Sequence, residues 1–341
     1  MGLAWGTLFA SSLGAQLPQQ ASFIPAPSGL PQQSRLLPAP PRPPSFADQI
    51  AANAFSDTGR IGVAATDLET GETISYAGHD PFPMASTVKV AIAAAYLTGV
   101  DNGRFNLDQL YRFGRRGRAI ASARQLIDRM LIRSDNVAAD ILLKAVGGTE
   151  AVNNWLMRAG VRGQRMDRTI ARLVYDDRGR TGRVFAANLP RTPLEVAQSA
   201  TLSEDGEVNP AYVGDARDTS TPAAMVHLLA KLHKGALLSS TSTRYLFDVM
   251  ARCVTGGRRL KGMLPAGTPV AHKTGTLAGV SDDVGIITLP NGHHLAVAVF
   301  AKGMRSEWER DRSIAQLARL LYEGFGAIEP AGSSIGRTIA R

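Results

Sequence analysis

Strand signals stand at the two ends of this chain and helical periodicity fills the middle, a distribution that limits the fold more than any other feature. Residues 61–67 and 72–76 read as two strands about the turn Glu69-Thr70-Gly71. Three more strands, 270–276, 283–289 and 294–301, lie near the C-terminus, the last two joined by the hairpin turn Asn291-Gly292. Between these groups the apolar residues recur at helical spacing. A run from Val90 to Leu97 stops at Asp101-Asn102-Gly103, and 123–132 carries Leu126, Ile127, Met130 and Leu131. Residues 137–146 close on Gly147-Gly148, Thr149 caps the helix that follows and runs to Gly160, and Thr221-Pro222 opens another. Helices at 46–54 and 308–322 bracket the whole. The expected fold is α+β: a five-stranded antiparallel sheet from both chain ends, flanked by helices, with an all-helical subdomain at about 80–225 inserted into it. Residues 161–218 are the least regular, and Thr192-Pro193-Leu194-Glu195 reads there as a helix start with a capping-box glutamate.

The 341 residues suffice for one large domain or two small ones, and a hydrophobic fraction of 44% supplies a core. The net charge of +9 comes mostly from arginines, clustered at 112–118 and 162–183. No zinc-finger spacing, aromatic RNA-binding motif or basic heptad accompanies them, so nucleic acid is not the expected partner. Anionic small molecules or cell-envelope polymers fit the charge better. Cys253 is the single cysteine, which excludes an intramolecular disulfide.

Residues 1–17 read as a signal peptide: an apolar run from Leu3 to Ala15 ends in the small residues Ser12-Leu13-Gly14-Ala15, although no Lys or Arg precedes Arg35. The run is too short for a stable membrane span. Residues 18–45 are rich in Pro, Gln and Ser and read as a disordered linker. The folded domain is expected at 46–326, followed by a flexible tail at 327–341. Export to the periplasm or medium is the expectation.

Three short motifs carry the chemistry. Ser86 and Lys89 stand three residues apart at a helix start, on one face of its first turn. A serine hydroxyl needs a base to become a nucleophile, and an amine with a lowered pKa supplies one. Alone, such a pair is most often a surface Ser and Lys. Ser134-Asp135-Asn136 then follows the 123–132 helix, and Lys273-Thr274-Gly275 lies on the first late strand. Ser-x-x-Lys, Ser-Asp-Asn and Lys-Thr-Gly, in that order on helix, loop and strand, mark penicillin-recognising serine enzymes. From about residue 46 to 325 the chain resembles the class A β-lactamase family, with further similarity in the segment from Arg133 to Asp140 and in Asp218-Thr219-Ser220-Thr221-Pro222.

The resemblance implies roles. Ser86 attacks the lactam carbonyl and Lys89 takes its proton. Ser134, assisted by Lys273, relays a proton to the lactam nitrogen. Asn136 binds the substrate side-chain amide and holds Lys89. Lys273 and Thr274 bind the substrate carboxylate, Gly275 lines the site, and the N–H groups of Ser86 and Thr276 form the oxyanion hole. Asp135 has a structural reading at least as good as a catalytic one. His272 is read as a partly buried strand residue, and neither it nor Cys253 needs to act. No cofactor or metal is implied, the partner is a β-lactam or peptidoglycan-like peptide, and a monomer is expected.

One part of the family pattern is absent. The glutamate of Glu-x-x-Leu-Asn, which activates the deacylating water, has Ile170 in its place when residues 165–174 are aligned, with Val174 at the asparagine. Asp167, Asp176 and Asp177 are the substitute bases. The readings therefore are a β-lactamase with slow deacylation, a D-alanyl-D-alanine peptidase on the same scaffold, or a penicillin-binding sensor or sink.

Overall fold

The computed structural model describes residues 44–113, 118–180 and 208–326. The signal-peptide reading, the linker up to residue 43, the Thr192–Glu195 helix start and the 327–341 tail lie outside them. Strands β1 (Arg60–Asp67), β2 (Thr73–Tyr76), β7 (Val270–Leu277), β8 (Val280–Thr288) and β9 (His294–Lys302) form one antiparallel sheet in the order β2-β1-β9-β8-β7. The first strand of the chain pairs with the last along its whole length, Arg60 opposite Lys302 through Asp67 opposite Leu295. The five-stranded sheet from both chain ends is thus observed.

Side-chain alternation splits the sheet between two cores. On one face Ala64, Val284, Ala298 and Phe300 meet the helical region. On the other, Ile61, Val63, Val297 and Val299 pack with Ile314, Leu317 and Leu321. Those last residues belong to the terminal helix (Glu307–Gly326), which lies on that face with α1 (Phe46–Ala54). Ser45 caps α1 through a reciprocal bond with Asp48.

The helical region is built around α2 (Lys89–Asp101), which is apolar on every side and buried from Lys89 to Leu97. A helix with no polar face must be surrounded. Against it pack α3 (Ala123–Ile132), α4 (Asn136–Val146) and α5 (Gly148–Arg158), and α6 (Ile170–Arg180) packs on α4. Further along come a four-residue helix, α7 (Pro210–Val213), then α8 (Pro222–His233) and α9 (Ser240–Ala251).

Several local readings differ from the structure. Thr149 caps nothing: Gly147 is the N-cap of α5, and Gly147 and Gly148, at φ +109° and +85°, turn α4 directly into it. The stretch read as irregular contains α6, whose first N–H groups are satisfied from outside, Ile170 N and Ala171 N donating to the Asp140 carboxylate at 2.7 and 2.8 Å. Helix α9 has no clear signal, since it opens on Ser240-Thr241-Ser242-Thr243; it forms because Leu246, Val249 and Met250 are buried and Asp101 accepts from the Ser239 and Ser242 hydroxyls. Two small antiparallel ladders, Phe82–Pro83 (β3) with Thr219–Ser220 (β6) and Leu110–Phe113 (β4) with Ala119–Ser122 (β5), were likewise not expected.

Candidate active site

The three motifs converge where α2, the α3–α4 loop and β7 meet. Ser86 lies in a 3-10 turn, Ala85–Val88, that leads into α2 at Lys89. The turn is held from several sides: Met84 N donates to Asp218 O at 2.9 Å, and Thr87 donates to Met84 O through N at 2.9 Å and through Oγ1 at 2.7 Å. Ala85 immediately before the serine has φ +43°, and Ser134 has φ +58°, both unfavourable for a residue with a Cβ. Strain at these two positions is offset by the packing and hydrogen bonds around them.

Lys89 is fully buried, and its Nζ lies 2.6 Å from Ser134 O, 2.6 Å from Asn136 Oδ1 and 3.2 Å from Ser134 Oγ. Burial, and then the charge of Lys273, drives its pKa well below the ordinary lysine value, against the opposing pull of Asp135 and Asp140. A neutral amine has two N–H donors and one lone pair. The two carbonyl-type oxygens at 2.6 Å use both donors, which leaves the lone pair to accept a hydroxyl proton.

Lys273 approaches the same serine from the sheet. Its Nζ donates to Ser134 Oγ at 3.0 Å and to Thr274 O at 2.7 Å. Burial brings it down to about 8, while Cys253 and Asp283 hold it up. Thr274 Oγ1 lies 2.5 Å from Thr255 Oγ1, which in turn lies 3.3 Å from Cys253 Sγ. A Cβ at Gly275 would sit 2.7 Å from Asp282 Oδ2 and 2.8 Å from Met84 O, so only glycine lets β7 lie this close to the serine turn. Thr276, half-buried, follows it on the strand.

Asp135 is committed to structure: Oδ2 pairs with Arg129 at 2.8 Å and Oδ1 caps α4 through Ala138 N at 3.0 Å. His272 is wholly rather than partly buried, with Nδ1 2.8 Å from Asp283 Oδ1, and the Asp283 charge outweighs burial to raise it to about 9. Burial alone would raise the Cys253 thiol, yet His272 and Lys273 bring it to about 6. Nothing in the sequence pattern points to this Cys253–His272–Asp283 group, nor to buried Arg259, whose Nη1 donates to Gly275 O at 2.8 Å.

The three aspartates weighed as deacylation bases are differently placed. Asp167 pairs with Arg165 Nε at 2.9 Å and accepts from Asp218 N at 3.0 Å. Asp176 pairs with Arg172 at 2.8 Å and Arg168 at 3.2 Å, and Arg168 pairs again with Asp218 at 2.5 Å. Asp177 accepts from Ala278 N, in the β7–β8 turn, at 3.5 Å. Ile170 is 2% exposed, in the apolar core with Leu173 and Val174. The segment is helical from Ile170 onward. Beside Asp177 stands Asn209, unremarked in the sequence: it is buried, donates to Asp177 O at 3.3 Å and caps α7 at Tyr212 N.

A family model described as the beta-lactamase enzyme family matches residues 45–325. The extended-spectrum beta-lactamase PER-1 of Pseudomonas aeruginosa is 28% identical over 303 residues, 82% of this chain and 87% of that protein. The carbapenem-hydrolyzing beta-lactamase KPC of Klebsiella oxytoca is 28% identical over 283 residues, 79% of this chain and 85% of that protein. Among solved structures, an ancestral class A beta-lactamase aligns with TM-score 0.68 at 32% identity, covering 82% of this chain and all of that one (100%). A beta-lactamase from Chitinophaga pinensis aligns with TM-score 0.65 at 32% identity, over 82% of this chain and 97% of that one.

Proposed function

We propose that this chain, which belongs to the beta-lactamase enzyme family, is a serine β-lactamase that opens β-lactams through an acyl-enzyme on Ser86. The observation that carries the reading is the convergence of two buried lysines on one hydroxyl, Ser134 Oγ, at 3.2 and 3.0 Å. Lys89, uncharged, takes the Ser86 proton as Oγ attacks the lactam carbonyl. The oxyanion is met by the N–H groups of Ser86 and Thr276, donors worth most where water is excluded. As the tetrahedral centre collapses, the C–N bond breaks and Ser134 gives its proton to the lactam nitrogen, recovering one from the Lys89 or Lys273 ammonium. Lys273 and Thr274 hold the substrate carboxylate, and Asn136 its side-chain amide. All these groups come from one chain, so the site needs no second copy. The apolar run at Leu3 to Ala15 supports export, and among the described residues no helix is long and apolar enough to cross a membrane.

For hydrolysis of the acyl-enzyme, the reading moves the base from residues 165–174 to the segment that ends at Asn209. Asp205-Gly206-Glu207-Val208-Asn209 has an acid four residues before an asparagine, with an apolar residue just ahead of the asparagine. That is the spacing of Glu-x-x-Leu-Asn with a carboxylate one methylene shorter. Residues 205–207 lie outside the described set, and the support is the buried position of Asn209 beside Asp177. The ion pairs of Asp167 and Asp176 argue against them, and Asp177, whose carbonyl accepts from Asn209, is the rival.

A time course of intact-protein mass with a penicillin tests the reading. The expected result is a single adduct, absent in Ser86→Ala, that forms and decays, and that persists in Asp205→Asn. Persistence in Asp177→Asn but not in Asp205→Asn would move the base to Asp177. A permanent adduct on the unmodified protein would make it a penicillin sink, and no adduct would remove the reading.

A further inference from the structure

The sequence has no metal-ligand spacing, yet the fold gathers donors at the corner of the sheet where β1 ends and β9 begins. Asp67 closes β1 and Glu69 follows in the turn to β2, while His293 and His294 come from the β8–β9 hairpin. One ligand atom from each of Asp67, Glu69 and His293 lies within 4.8 Å of the others. Strands β9 and β8 separate this corner from β7 and Lys273.

Asp67 is fixed before any ligand arrives, and Glu69 and His293 are held near it by hydrogen bonds. Asp67 is 3% exposed; its Oδ1 accepts from Glu69 N and Thr70 N, both at 2.9 Å, and its Oδ2 lies 2.8 Å from His293 Nδ1. Glu69 is aimed by the neighbouring histidine, with His294 N 2.7 Å from Oε2 and His294 Nδ1 2.8 Å from Oε1. The His294 ring packs on that of His233 at 4.7 Å, so three of the chain's six histidines meet two carboxylates here. A carboxylate oxygen with one hydrogen bond keeps a lone pair.

We propose that Asp67, Glu69 and His293 bind a divalent cation of the zinc class, which ties the β1–β2 turn to the β8–β9 hairpin. Two carboxylates and one imidazole with an open fourth position for water form a donor set suited to Zn²⁺. Ligand distances of about 2.0–2.2 Å place tetrahedral donors about 3.3–3.5 Å apart. Closing from 4.8 Å requires rotation only of Glu69 and His293, whose side chains are 39% and 33% exposed, while buried Asp67 stays fixed. The cation replaces the proton that Asp67 and His293 share. His294 then acts as the outer partner of a ligating carboxylate, which orients it.

The site does not depend on the hydrolase chemistry, and its test needs no substrate. The full-length protein, stripped with a chelator, is titrated with zinc chloride by calorimetry, and its thermal midpoint is followed with and without the metal. One equivalent should bind saturably and raise the midpoint by several degrees at a large excess over the dissociation constant. Glu69→Gln and His293→Ala should each lose at least tenfold in affinity, while His79→Ala and His227→Ala, outside the cluster, should bind as the parent does. Glu69→Gln keeps the Asp67 turn intact, so its loss cannot be ascribed to misfolding if its metal-free midpoint matches the parent's. No saturable binding by the parent, or binding equally strong in Glu69→Gln and His293→Ala, overturns the proposal.

Discussion

Lys89 belongs to the helical region and Lys273 to the sheet; both are 0% exposed and both reach Ser134 Oγ, yet different neighbours set their pKa values. Burial lowers both. Behind Lys89 stand neutral acceptors, Ser134 O and Asn136 Oδ1, and its pKa falls far below the ordinary value. Behind Lys273 stand the Cys253 thiol and the Asp283 carboxylate, and it stops at about 8. Burial alone therefore does not make a lysine a base. The helical region meets Lys89 with dipoles, and its anions Asp135 and Asp140 raise the amine by less than burial and Lys273 lower it. Asp283 on β8 and Cys253 just after α9 supply anions, which favour the proton and leave a cation for an anionic substrate group.

The largest expected effect separates the two amines by substrate. Lys89→Ala removes the base, and general-base catalysis contributes about 10²–10⁴-fold. The acylation rate, followed by intact mass, should fall by that factor for every β-lactam tested, with or without its carboxylate. A loss under tenfold would mean that Lys273 or water replaces Lys89, and the contrast between the regions would collapse.

Lys273→Ala should be smaller and selective. A charge-assisted hydrogen bond contributes about 1.5–3 kcal/mol, or about 10–150-fold in rate. Lactams that bear the carboxylate should lose that much in kcat/KM, and the matching carboxylate esters much less. Equal losses would show that Lys273 acts only through Ser134, as a second proton carrier and not as an anion site.

The same contrast explains what the sequence revealed. The sheet was legible because β1, β2, β7, β8 and β9 alternate over two cores, and the Asn291-Gly292 turn marks its own place. Ser86, Lys89, Ser134 and Lys273 were legible because each motif sits at the end of a regular element or on a strand. Helix α6 was not, since only one of its first N–H groups is capped locally, Arg172 N by Thr169 Oγ1, while Ile170 N and Ala171 N are met by Asp140, thirty residues earlier. Ile170 drew attention by alignment, and it is buried with Leu173 in the apolar core. The Cys253–His272–Asp283 group is assembled from three separate segments by β7–β8 pairing and the packing beside it. No spacing rule reaches it.

That group gives the smallest expected effect and the finest test of the contrast. Substrate carboxylate binding needs the ammonium form of Lys273, so kcat/KM for a carboxylate-bearing lactam should fall as pH rises through about 8. Cys253, at about 6, is a thiolate over that range and favours the Lys273 proton. Cys253→Ser keeps a hydroxyl beside Thr255 but carries no charge, so the Lys273 pKa should drop and the basic limb should move to lower pH. The acidic limb should stay in place, because Lys89 draws no support from Cys253. With a carboxylate ester as substrate the displacement should vanish, which a merely structural effect of the substitution would not produce. A basic limb that stays put in Cys253→Ser but moves in Asp283→Asn would assign the Lys273 proton to the carboxylate alone. One that moves in neither variant would show that the anions behind the strand do not set the charge of Lys273.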